Sequence, residues 1–340
     1  MSKNKKNTAS RKQPKSATQK TRRGQQRHAR QKVESATRDN AQNQSNTSRR
    51  HQKPGPNTPQ KTEQGRLQNT NAHQKRAHST LQSPSALNQN AGRNDLWLYG
   101  RHAVLSALTN SARQLKRLIV SDRHSNEYHP LLTEIIQHHD LPPVELMPPA
   151  QLDHLLPEQS VHQGIALLTK PLPSIALEDA CQITSADKGQ FVMVLDQVTD
   201  PQNVGAIIRS ASAFGACALV TTDRNSPPES GALAKSASGA LEALPWVRVI
   251  NLARALDQLS DMGYWRIGLD GYATTDIDKA DLGRHLALVL GAEGKGLRKG
   301  TKEHCDLTVR LPITRTVESL NVSNAAAIAL YDFSRRTNTT

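Results

Sequence analysis

Three short stretches carry more polar groups than local structure alone requires. Between Arg310 and Arg336, Glu318, Ser319, Asn321 and Ser323 crowd ahead of an alanine-rich segment. Asn321 or Ser319 alone would cap the first turn of a helix there, because a cap uses one side chain. In DQVTDPQNVGAIIRSASAFGA, the spacing puts Gly205, Arg209 and Ser212 on one helical face, with the Arg209 side chain leaning back toward Asn203. A turn of that kind, following a buried strand, lies where open α/β sheets bind ligands. The third stretch, GAEGKGL, follows the apolar run Leu286 to Leu290 and holds Glu293. Glycine there suggests close approach of a ligand to the backbone, yet the segment has neither the phosphate-loop ending of lysine followed by serine or threonine nor the GxGxxG fingerprint. Together these residues offer hydrogen bonds and one fixed positive charge. Taken singly, each has a plain reading: a capped terminal helix, a solvated arginine, a surface glutamate.

The elements that must position them alternate between the periods of strand and helix. Phe191 to Leu195 reads as a strand buried on both faces. Asp200 and Pro201 then open a helix, with Val204, Ile207, Ile208 and Ala211 as its buried stripe and Gly215 as its stop. Strands are expected at Ala218 to Thr221, Val247 to Ile250, Trp265 to Leu269 and Leu286 to Leu290, with a helix at Leu252 to Leu259. A further strand runs through Leu307, Val309 and Leu311 to Pro312. From Val322 the apolar positions Ala325, Ala326, Ala329, Leu330 and Phe333 mark the last helix. The alternation predicts a doubly wound α/β sheet.

Ahead of this half, order begins near Leu96. Val104, Leu105 and Leu108 have helical spacing, Leu115 to Val120 reads as a strand, and a helix is expected across Pro130 to His139. Val144 to Met147, Pro149 to Leu156 and VHQGIALLTK complete a small α/β module. His138, His139 and His162 read most simply as surface or turn residues. Pro171 to Gly189 reads as a linker. The segment Lys235 to Ala240 (KSASGA) suits a small-residue packing site as well as a dimer contact or RNA face.

Length and charge bound the rest. The 340 residues leave room for two domains and a tail. Residues 1 to 94 hold 21 Lys+Arg against 3 Asp+Glu, so by difference from 44 and 30 the remainder holds 23 against 27, and the whole positive excess lies in the tail. With no aromatic residue and only Val33, Leu67, Leu81 and Leu87 as large apolar side chains beyond Met1, the tail reads as disordered. Its flexible charge suits nonspecific attraction to RNA phosphates, or a solubilising role. Cys181, Cys217 and Cys305 are too dispersed for clustered metal-ligand spacing, and their odd number argues against a disulfide framework, which fits a reducing, cytoplasmic setting. No run of about 18 apolar residues suggests a membrane span, and no apolar core suggests a secretory signal.

NVGAIIRSASAFGA, LVLGAEGKGL and LPITRTVESLNVSNAAAIALYDF, in that order, resemble the three signature motifs of the SpoU/TrmH family of RNA 2′-O-ribose methyltransferases. The resemblance covers roughly residues 95 to 336. It implies a disordered basic tail (1–94), a small L30e-like RNA substrate-binding domain (95–170), a linker (171–189) and a trefoil-knotted α/β (SPOUT) methyltransferase domain (190–337). Among the subfamilies, the pairing is most similar to the bacterial one acting on a guanosine ribose of 23S rRNA. The implied cofactor is S-adenosylmethionine, held by backbone groups at Gly291, Leu311 and Leu320. The implied catalytic set is Asn203, Arg209, Glu293, Ser319 and Asn321. A homodimer with RNA as partner, no metal and no membrane contact is implied as well.

The resemblance assigns roles to these residues. Arg209 matches the family's motif-1 arginine, sometimes assigned as the base, but a guanidinium holds its proton so firmly that stabilising the developing alkoxide and holding a phosphate is the physically easier role. Asn203 positions the target nucleotide, Glu293 orients its neighbours, and Ser319 and Asn321 bond the ribose or order the knot. The sequence departs from the motif at Arg315, where the family has glycine, and at Asn324, where it has a small apolar residue. A tRNA methyltransferase and a catalytically silent RNA-binding assembly factor are the alternatives, the second distinguished by whether the protein binds S-adenosylmethionine.

Overall fold

The computed structural model describes Gly92 and residues 94–184, 189–314 and 316–338. The expected disorder of residues 1 to 94 lies, but for Gly92 and Asn94, outside these, and so does Arg315. Two sheets organise the described chain.

The smaller sheet is built from β1 (Leu96–Tyr99), β2 (Leu115–Ser121), β3 (Val144–Met147) and β4 (Ile165–Thr169), in the order β1-β4-β2-β3. Helices α1 (Arg101–Thr109), α2 (Ser125–Ile136) and α3 (Pro149–Leu155) accompany it. Ala103, Val104, Ala107 and Leu108 of α1 are buried, as the helical spacing predicts. Helix α2 begins at Ser125, five residues before the expected Pro130. A 3₁₀ turn at Asp122–His124 leads into it, and Pro130 sits inside it at the cost of one backbone donor.

The larger sheet has seven strands: β5 (Gln190–Asp196), β6 (Ala218–Thr222), β7 (Trp246–Val249), β8 (Trp265–Leu269), β9 (Thr275–Asp276), β10 (His285–Gly291) and β11 (Leu307–Arg310). Their order is β7-β6-β5-β10-β8-β11-β9, and every pairing is parallel. Val192 to Leu195 and Leu286 to Leu290 are buried on both faces, which is why they read as unbroken apolar runs. Helices α4 (Leu177–Ala180), α5 (Pro201–Ala213), α6 (Gly231–Ala237), α7 (Leu252–Asp261), α8 (Lys299–Glu303) and α9 (Val322–Asn338) cover the sheet. One apolar layer joins Phe191, Met193 and Leu195 to α5 and α9. The layer on the opposite face joins Val192 and Val194 to α7 and to Leu177 and Cys181 of the segment read as a linker.

The central parallel strands all deliver their C-terminal ends to one edge. Asp196 and Gly291 are register partners there, as are Leu290 and Leu269, and Leu269 and Val309. The three polar stretches of the sequence lead off from that edge. Among the described residues no helix is long and apolar enough to cross a membrane.

Candidate active site

Helix α5 begins where Asp200 accepts hydrogen bonds from the backbone N–H groups of Gln202 and Asn203, each at 3.2 Å, and Pro201 loses nothing at the first position. That cap fixes the turn carrying Asn203. The Asn203 side chain donates from Nδ2 to Glu293 Oε1 at 3.1 Å and accepts from Asn321 Nδ2 at 3.0 Å. Asn321 Nδ2 also donates to Glu293 Oε1 at 2.9 Å. A single carboxylate oxygen thus gathers residues from all three motif stretches.

Asn321 does two jobs with one amide. Its Oδ1 accepts from Ser323 N (2.9 Å) and Asn324 N (3.3 Å), capping α9, while its Nδ2 reaches Glu293 and Asn203. The Ser323 hydroxyl also donates to Asn321 Oδ1. The crowding of polar residues ahead of α9 is therefore partly capping and partly the bridge to Glu293.

Arg209 is exposed, on the same helix as Asn203 but about 9 Å further along its axis. It makes no hydrogen bond or ion pair with another described residue, so its guanidinium is available to a ligand. Ser319 is exposed too, and the structure does not bring its side chain into the cluster of Asn203, Glu293 and Asn321.

Leu311 and Leu320 are half-buried at the two ends of the loop between β11 and α9. Among the described residues, neither Leu311 nor Leu320 makes a hydrogen bond to another backbone group. Free N–H and C=O groups flanked by two leucine side chains suit a ligand with both an apolar face and hydrogen-bonding edges, such as the adenosine of S-adenosylmethionine. Gly291 is buried at the end of β10, where a Cβ would collide with the backbone of Gly296 and Leu297. The close approach that calls for glycine is thus made by the chain itself, folding back in the turn closed by Gly296 N donating to Ala292 O at 2.9 Å.

Asp196 is a residue the sequence reading passed over. It is fully buried at the end of β5 and accepts from Arg298 N (3.1 Å) and Arg298 Nε (2.7 Å), tying down the far side of the turn that carries Glu293. Its signal in the sequence is a carboxylate ending the apolar run FVMVL. The cysteines offer no such chemistry: burial pushes the Cys305 thiol up to about 12, and Cys181 is raised by its hydrogen bond to Cys217 and then by burial.

Comparison with known proteins places this geometry. Residues 190–331 match the model of the SpoU rRNA Methylase family, and residues 97–174 match that of RNA 2′-O ribose methyltransferase substrate binding. A protein of Photobacterium profundum named 23S rRNA (guanosine-2′-O-)-methyltransferase RlmB is 38% identical over 250 residues, 72% of this chain and 98% of that protein. The chain belongs to the SpoU methylase family. The RlmB of Vibrio cholerae is 36% identical over 240 residues, covering 70% of this chain and 96% of its own. Among solved structures, the SpoU methyltransferase AviRb from Streptomyces viridochromogenes, in complex with the cofactor AdoMet, shares the fold at a TM-score of 0.61 and 24% identity, covering 72% of this chain and 91% of that one. The two SpoU family regions correspond to the two sheets, each matched region containing one of them but for Leu96 at the start of β1.

Proposed function

We propose that this protein transfers a methyl group from S-adenosylmethionine to the 2′-hydroxyl of a guanosine ribose in 23S rRNA. The observation that carries this reading is the convergence of Asn203 and Asn321 on one carboxylate oxygen of Glu293, in a chain that matches RlmB proteins over nearly their whole length.

The cofactor supplies an activated methyl group on a sulfonium, so the chain's own residues have only to bind, align and assist the ribose oxygen. Backbone groups at Gly291, Leu311 and Leu320 hold the cofactor in the C-terminal trefoil knot, a reading supported by the unpaired backbone groups of Leu311 and Leu320 among the described residues. Arg209 offers a guanidinium to the developing alkoxide and a neighbouring phosphate, consistent with its exposure and lack of a described partner. Asn203 positions the target nucleotide, Glu293 orients the two asparagines, and Ser319 bonds the ribose.

The same reading assigns 95–170 to RNA binding, 171–189 to a linker and 190–337 to methyl transfer, with the basic residues 1–94 adding affinity for RNA in the cytoplasm. It makes the protein a homodimer. Ile328 and Tyr331, 47% and 57% exposed on α9, supply an apolar surface for that contact. The deciding experiment is mapping ribose methylation in 23S rRNA from cells with and without the gene. Loss of one guanosine 2′-O-methyl group is expected, and an unchanged map with an altered tRNA profile would overturn the choice of substrate.

A further inference from the structure

The contact between the two sheets is built more tightly than a linker requires. Arg113, just after α1, has its side chain fully buried. It donates from Nη2 to Glu242 Oε1 at 2.6 Å, from Nε to Glu242 Oε2 at 2.9 Å and from Nη1 to Lys170 O at 2.9 Å, and it pairs through Nη1 with Glu229. Glu229 and Glu242 expose only 5% and 6% of their side chains. Asn110 Nδ2 adds a bond to Glu242 Oε2 at 2.7 Å, and Leu172 N one to Glu229 Oε2 at 2.9 Å. One guanidinium thus ties the small module (Asn110, Arg113), the connecting segment (Lys170, Leu172) and the large one (Glu229, Glu242). A fork of donors fits two carboxylates in a way an ammonium cannot.

Helix α6 extends the clamp to the site. On one side the backbone of α6 closes on Gly205 of α5, where a Cβ would collide with Leu233 O and Ser236, and Ser236 Oγ donates to Gln202 O at 2.8 Å. On the other side Gly231 leaves no room for a Cβ against Tyr99 and Trp97, and Lys235 Nζ donates to Val161 O at 2.6 Å. The small residues of KSASGA are therefore a packing site within the chain. A single apolar cluster runs from Val104 and Leu108 of α1 through Leu233, Ala237 and Leu241 to Ile207 and Ile208 of α5.

We infer that Arg113 is a positioning residue whose clamp makes the substrate-binding module and the helix of Asn203 one rigid body, so that the enzyme presents a folded RNA to the site at a fixed offset. A flexible strand could follow a swinging module, whereas a folded RNA gripped at one point delivers a distant ribose only if the grip does not move. The inference rests on the proposed methyl transfer for its kinetics and on geometry alone for the rigidity.

The test uses the full chain with spin labels at two exposed positions, Ile136→Cys in the small module and Ile250→Cys in the large one. The triple variant Arg113→Met/Glu229→Gln/Glu242→Gln removes the charges together, leaving no lone buried ion, and Arg113→Lys serves as a second, milder variant. The expected result is a narrow distance distribution in the parent that broadens in both variants. On a folded 23S rRNA fragment, kcat should fall at least 10-fold in the triple variant with KM for RNA and the S-adenosylmethionine Kd within 2-fold of the parent. A distribution that is already broad in the parent, or that stays narrow in both variants, would overturn the inference. So would broadening with unchanged kcat. A parent that shows no methyl transfer would instead count against the proposed function, leaving the distances to judge the clamp.

Discussion

Asn321 Nδ2 lies 2.9 Å from Glu293 Oε1 and 3.0 Å from Asn203 Oδ1, joining residues 28 and 118 positions apart through one side-chain amide. The same residue caps α9 through its other amide atom. The start of the last helix and the geometry of the site are therefore set together.

Asn321→Asp separates the two jobs. An aspartate still caps α9, but it sets a second carboxylate against Glu293. We expect it to fold and to lose both S-adenosylmethionine affinity and turnover. Asn321→Ala should in addition lower stability by about 1 kcal/mol through loss of the cap. Calorimetric titration with the cofactor and urea unfolding measure the two effects; cofactor affinity unchanged in both variants would remove Asn321 from the site.

Arg209→Ala should reduce turnover by about 10²–10³ while leaving S-adenosylmethionine affinity nearly unchanged, as expected for a charged group acting mainly in the transition state. Arg209→Lys should not restore the rate, because an ammonium cannot reproduce a planar two-pronged contact. Single-turnover methylation and cofactor titration check both statements, and rescue by lysine would mean that only the charge matters.

Much of this site was legible before the structure because its residues announce themselves by position. Asp200 and Pro201 start a helix by local chemistry, and the stripe Val204, Ile207, Ile208 and Ala211 follows from period alone, all four being buried. The convergence of Asn203, Glu293 and Asn321 was not legible in this way, since three distant segments meet only through the strand order of the large sheet. Resemblance to a family supplied what periodicity could not. The clamp around Arg113 gave no signal, because one arginine after a helix reads as solvated until its carboxylates are placed beside it. Gly291 was legible as a close approach, and the chain's own Gly296 and Leu297 make one there.

Asp196→Asn tests the tether behind the glycine turn. The buried carboxylate accepts two bonds from Arg298, and hydrogen bonds to charged groups are worth about 1.5–3 kcal/mol each. Replacing one acceptor oxygen by an amide donor facing the guanidinium should lower unfolding stability by about 2 kcal/mol and reduce turnover along with it. Urea unfolding and methylation assays on the same preparation are the measurements; full stability would show that Arg298 is held by other contacts.

The pH dependence of stability should carry the mark of Asp306. This carboxylate accepts from Arg266 N at 2.8 Å, Nε at 3.0 Å and Nη2 at 2.6 Å, joining the N-terminal ends of the paired strands β8 and β11, at the edge of the sheet opposite the site. The hydrogen bonds from the Arg266 side chain hold its pKa below the ordinary carboxylate range, against the opposing effect of burial. A carboxylate whose folded pKa is depressed contributes stability that is fully present above its unfolded value of about 3.9 and is lost as pH falls through the folded value. The stability difference between the parent and Asp306→Asn should therefore be constant from pH 7 to about pH 5 and shrink progressively below about pH 4. Urea midpoints of the pair across that range isolate the effect, because every other carboxylate titrates in both proteins. A difference that stayed constant down to pH 3 would place the contribution of Asp306 in its shape and packing, independent of its charge.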